Sequence, residues 1–180
     1  MTGIYTGVRT AIRNTTLAAL SEHPTSPVIY SNGNGTEPAE SYVVINILSI
    51  TQIGHHSTST LTNTSEELSI QACYEILTQF SFIGSLSGDM AQSFTQRINN
   101  NPVALEELKK NKLGLMRKSQ IRRAPQKRDT KWVEYHNMDV TFNYIVNTQQ
   151  LVDVVEGVVI QEDTTETPTT IKIPETIVYP

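Results

Sequence analysis

The stretch ELSIQACYEILTQFSF, Glu67 to Phe82, decides the fold class. Leu68, Ile70, Ala72, Tyr74 and Ile76 alternate with Ser69, Gln71, Cys73 and Glu75. Successive side chains of a strand point to opposite faces, so this alternation marks a long strand with one face buried and one solvated. The pattern returns at Trp132 to Asn147. There Trp132, Met138, Val140, Phe142, Tyr144 and Val146 share parity, and Asn137, Asp139, Thr141 and Asn143 lie opposite.

Between these two strands the period changes from two to about four. Ser87-Gly88-Asp89 opens a helix in which Met90, Phe94 and Ile98 recur every fourth residue. Asn101-Pro102 supplies an N-cap and a first-turn proline for a second helix, Val103 to Lys110, which Gly114 can end. Upstream, Tyr42 to Ile50 is dense in β-branched residues and predicts a buried strand, followed by the polar stretch Thr51 to Thr64, expected to be a loop or hairpin tip. Val28 to Tyr30 predicts a short strand. Ile4, Val8, Ile12, Leu17 and Leu20 predict an amphipathic helix over residues 4–21, stopped by Pro24 and Pro27. Leu151 to Ile160 is Val-rich and predicts a closing strand; from Gln161 the chain is acidic and rich in Thr and Pro. This order gives an α+β fold, a mainly antiparallel β-sheet flanked by helices on one face, with an extended loop and an arm over residues 162–180. Residues 1–37 carry the first helix and short strand, and residues 38–161 the core.

Charge is distributed unevenly. The window KKNKLGLMRKSQIRRAPQKRDTK, Lys109 to Lys131, holds ten of the fourteen Lys and Arg residues and a single acid, Asp129. The remaining residues carry four bases against seventeen acids, within a chain of net charge −4. Such a strip suits phosphate or an acidic protein surface. Arg122, Arg123 and Arg128 add planar, bidentate recognition of carboxylate or phosphate. The strip has no interleaved aromatics for stacking bases and no recognisable DNA- or RNA-reading motif, so sequence-specific reading is not expected. Non-specific backbone contact through segment 109–131, as a stand-alone nucleic-acid-binding module, is the competing reading.

Catalytic signals are weak. His55-His56 lies without Asp, Glu or Cys at metal-ligand spacing. Cys73, the lone cysteine, sits inside a strand pattern as a small hydrophobe. Gly84 to Gly88 has glycines suited to a strand–helix turn but no lysine of a phosphate loop. No catalytic residue, metal or cofactor is expected. No apolar run approaches 18 residues, so no membrane partner is expected either.

The order of features resembles that of the neck or tail-terminator proteins of tailed bacteriophages. The carrying segments are Leu68-Ser-Ile-Gln-Ala, the glycine before the helix, Asn101-Pro102, Leu113-Gly114 leading to Ile121-Arg122, Met138-Asp-Val-Thr-Phe-Asn-Tyr, and Val152-Asp-Val-Val-Glu-Gly-Val-Val-Ile. The resemblance covers roughly residues 38–161. It implies a structural virion protein, not an enzyme: a small subunit of a homo-oligomeric ring, six copies, that caps the tail tube and joins it to the head connector, with DNA passing through the lumen. It would assemble in the host cytoplasm and reside in the virion neck. On that reading Arg117, Lys118, Arg122, Arg123, Lys127 and Arg128 line the lumen or a contact between subunits, and the acidic arm adds to a neighbour's sheet edge.

Overall fold

The computed structural model describes residues 3–59, 67–151, 158–160 and 169–171, with side chains over 3–55 and 70–148. The chain divides into two compact units: residues 1–55 with 72–146, and residues 56–71 with 147–180. Elements follow in the order α1 (Ile4–Ala19), β1 (Val28–Tyr30), β2 (Tyr42–Ser59), β3 (Glu67–Ile83), α2 (Ser87–Arg97), α3 (Pro102–Lys110), β4 (Leu113–Lys118), β5 (Arg122–Arg123), β6 (Gln126–Arg128), β7 (Lys131–Val133), β8 (Tyr135–Leu151), β9 (Val158–Ile160) and β10 (Thr169–Ile171).

The main sheet has the order β1-β2-β3-β8-β4, and β5 pairs with β8 beyond β4. β4 and β5 run antiparallel to β8, and β1 runs parallel to β2. The fold is α+β with a mixed, mostly antiparallel sheet, as the alternating segments require. In the second unit, β9 and β10 pair antiparallel, Val158 opposite Ile171.

The core lies between one sheet face and the helices. Ile76, Phe80 and Phe82 of β3 and Met138, Val140 and Phe142 of β8 are buried with Val43 and Ile45 of β2. They meet Met90, Ala91 and Phe94 from α2, Ile98 at its C-cap, and Val8 and Ile12 from α1. Phe80 stands at the centre, its ring 4.7 Å from Phe94 and 6.4 Å, edge-on, from Phe142. Aromatic pairs in these geometries add attraction to their burial. A second cluster holds Tyr42, Ile83 and Tyr135, with Ile29, Val44 and Val133 packed against it. On β2, Tyr42 and Val44 alternate with the core residues Val43 and Ile45, so this cluster lies on the other sheet face.

Four expectations need correction. Thr51 to Ser59 is strand, not loop, because β2 continues through its polar half; residues 60–64 lie outside the described residues. Helix α1 ends at Ala19, and it does not bury Ile4 or Leu17; Ala11, Thr15, Thr16 and Ala19 take that face instead. Gly114 does not end α3. Asn111 closes it, its side-chain Nδ2 donating to the Glu107 carbonyl (2.7 Å), and Lys112 adopts the left-handed conformation (φ 54°). Trp132 is not on the core face of β8: it belongs to β7 and is 71% exposed. Of the closing strand read over Leu151 to Ile160, Leu151 ends the described part of β8 and Val158–Ile160 form β9; residues 152–157 lie outside the described residues.

Two glycines are required by close approach. A Cβ on Gly114 would stand 2.0 Å from Asn143 Oδ1 across the β4–β8 ladder. Gly84, at φ 108°, turns β3 into α2, and a Cβ there would meet Ser41 at 2.6–3.0 Å. The Ser41 hydroxyl accepts from Leu86 N–H (3.0 Å), which anchors the strand–helix turn read from the sequence.

Candidate functional site

The basic strip is built from four short strands rather than a loop. β4 lies at the edge of the main sheet against β8, and β5 continues along the same partner. Pro125 separates β5 from the β6–β7 hairpin, in which Lys127 pairs with Trp132 and Arg128 with Lys131. Asp129 turns that hairpin with φ 50°.

Acids remote in sequence neutralise much of the strip. Arg122 pairs with Asp139 at 2.5 Å. Arg123 grips Glu134 with two donors, Nε at 2.9 Å and Nη2 at 2.5 Å. That bidentate bond, followed by the charge of Arg123, holds the Glu134 carboxyl below its ordinary value. Arg128 pairs with Glu37, which also accepts from the Tyr42 hydroxyl at 2.5 Å. The hydrogen bond from Tyr42, with help from Arg128, holds Glu37 low; burial and Glu37 push the Tyr42 phenol up to about 12. The Arg128 guanidinium also lies 5.3 Å over the Tyr135 ring. Lys110 pairs with Glu107 one turn back.

Lys118 is spent differently. Its ammonium donates to the Thr95 carbonyl (2.7 Å) and to Asn99 Oδ1 (3.1 Å) at the end of α2. Desolvation there lowers its pKa. Cations are favoured at a helix C-terminus, so this lysine serves the fold. Among the described residues Lys109, Lys112, Arg117, Lys127 and Lys131 make no ion pair.

The six residues singled out in the sequence therefore separate into two kinds. Arg122, Arg123, Arg128 and Lys118 tie the strip to its own sheet and helix. Arg117 and Lys127 are exposed and turned to solvent. Sequence reading missed the partners Glu37, Glu134 and Asp139, which come from outside the window. Beside Arg117 runs a groove of about 460 Å³ lined by Leu105 and Leu108 of α3 and Leu113, Leu115 and Met116 of β4. Met116, the extra residue of a β-bulge between Leu115 and Arg117, is 53% exposed.

The other candidates fall into place around this. His55 is exposed on β2, and the side chain of His56 lies outside the described residues. Cys73 is half-buried. Ser87 Oγ stands 3.0 Å from His136 Nδ1, but Ser87 is fully buried in the first turn of α2, where no substrate could reach it. Among the described residues no three His, Cys, Asp or Glu side chains gather to hold a metal ion, and no helix is long and apolar enough to cross a membrane.

Comparison with known proteins gives a family match. A family model described as Phage neck terminator protein matches residues 2–169. No curated protein matches the chain. One solved structure aligns with 78% of this chain and 96% of its own at 13% identity and a TM-score of 0.39, a likeness too slight to carry weight.

Proposed function

This chain belongs to the phage neck terminator proteins, structural components of the phage neck, and from that membership we propose that it forms a homo-oligomeric ring capping the tail tube. The single observation that carries this reading is the extent of the match, residues 2–169, which takes in every described element of the main sheet. Six copies would enclose a lumen for DNA and join the tube to the head connector. The subunits would assemble in the host cytoplasm and act by geometry.

Within such a ring the arginines of β5 and β6 would brace the subunit, since each is already satisfied by a carboxylate of its own chain. Arg117 and Lys127 would make the external contacts. Lys127 and Lys131 flank the exposed Trp132 on the β6–β7 hairpin, an exposed surface suited to a lumen wall or a neighbouring ring. Six copies would repeat these weak contacts and gain by avidity.

Negative-stain microscopy and native mass spectrometry of the purified protein test the reading. Rings with a central hole and a mass of six chains are expected; a strict monomer at assembly concentration would sink it. Free duplex should bind weakly, because three arginines are already paired. Tight binding with a slope near −0.9 per neutralised phosphate would instead favour a stand-alone nucleic-acid module.

A further inference from the structure

We propose that the outer edge of β4 accepts, by strand addition, the segment Glu175-Thr-Ile-Val-Tyr179 of a second copy of this chain. This rests on the self-association proposed above and names its seam.

The edge is prepared for such a guest. β4 ends the strand order of the main sheet. Ile145 N–H donates to the Lys112 carbonyl (3.2 Å) and Ser119 N–H to the Asp139 carbonyl (2.8 Å), so Lys112 and Gly114 turn their backbone toward β8. Inward and outward groups alternate along an antiparallel edge, which leaves N–H and C=O of Leu113 and Leu115 facing away from β8. Among the described residues these groups have no backbone partner, and unpaired edge groups of this kind template another strand. Beside them lies the groove lined by Leu105, Leu108, Leu115 and Met116 together with Lys109 and Arg117, neither of which has a carboxylate partner among the described residues.

The guest is defined by complementarity. Residues 161–180 carry Glu162, Asp163, Glu166 and Glu175 against one base, Lys172. Within them, Glu175 to Tyr179 is rich in β-branched and aromatic residues, which favour strands. Pro174 and Pro180 bracket it, and proline cannot donate to a ladder, so an added strand would be limited to five residues. That length fits the six-residue β4. Glu175 would meet Lys109 and Arg117, and alternate residues such as Ile177 would enter the groove.

Cysteine trapping in the full-length protein tests the seam. Two chains, each carrying Cys73→Ser, are co-expressed: one with Met116→Cys, the other with Ile177→Cys. Oxidised glutathione should give a heterodisulfide between the two chains. In parallel, Arg117→Glu and Glu175→Lys should each weaken association at least tenfold in sedimentation, and the two together should restore it. Absence of the heterodisulfide while the wild-type chain still oligomerises would overturn the seam and leave the ring reading standing. A single chain carrying both Met116→Cys and Ile177→Cys that forms its disulfide only within itself, migrating as a monomer on a non-reducing gel, would also overturn it. A wild-type monomer would overturn both.

Discussion

Arg128 and Glu37, 91 residues apart in sequence, close an ion pair that Tyr42 completes from the buried side. The contact ties the β6–β7 hairpin to the turn between β1 and β2 and sets the Arg128 guanidinium over Tyr135. A basic segment that looks like a free surface arm is thereby clamped to the sheet.

Removing the clamp should loosen the hairpin without unfolding the chain. Glu37→Gln is expected to cost about 1 kcal/mol, since the pair is partly solvated and the amide oxygen can still accept from Tyr42. Urea unfolding reads the cost. Amide exchange should rise over Gln126 to Val133 and stay unchanged in α2; equal change in both would refute the clamp.

Acid should act through the same carboxylates. Glu37 and Glu134 are both held below the ordinary 4.5 in the folded chain. Groups depressed by folding contribute stability above their unfolded pKa, and that contribution disappears as pH falls through the folded values. The melting temperature should therefore decline as pH drops from about 4.5, and less steeply in Glu37→Gln/Glu134→Gln. At the alkaline end the sign reverses. Tyr42 is raised to about 12, so stability is complete below pH 10 and is lost as pH climbs toward 12. Absorbance titration of wild type against Tyr42→Phe should isolate one late-ionising phenol.

Neighbouring cations should behave differently. Lys118→Met removes the donor to Thr95 and Asn99 and is expected to destabilise by about 1 kcal/mol. Arg117→Ala should leave stability within about 0.5 kcal/mol while weakening self-association. Thermal unfolding and sedimentation of the two variants separate the roles; a reversal of this order would count against the assignment.

Gly114→Ala should destabilise by about 1–3 kcal/mol, because its methyl would strike Asn143 Oδ1. Adding Asn143→Ala should recover most of the loss. Failure of the double variant to recover would mean that backbone freedom, not side-chain space, demands the glycine.

Local periodicity carried most of the fold into the sequence. Alternation in β3 and β8 identifies the sheet face that Phe80, Met138 and Phe142 occupy, and Asn101 caps α3 as read, accepting from Val103 N–H at 2.8 Å. What escaped was nonlocal. The polar residues after Ile50 show no strand pattern, yet β2 extends through them to Ser59. Trp132 matches the parity of β8, but Glu134 breaks the strand and frees the hairpin from that register. The strip was legible as charge and illegible as structure, because Glu37, Glu134 and Asp139 become its counter-ions only once the sheet has formed.

Those three acids also make the strip non-portable. A chimera that moves residues 109–131 onto another neck subunit would transfer ten cations and leave behind the carboxylates that hold three of them, turning a stitched seam into a less satisfied positive tether. A viable exchange between related subunits would have to move Glu37, Glu134 and Asp139 along with the strip, so the unit of inheritance is the contact set, not the segment.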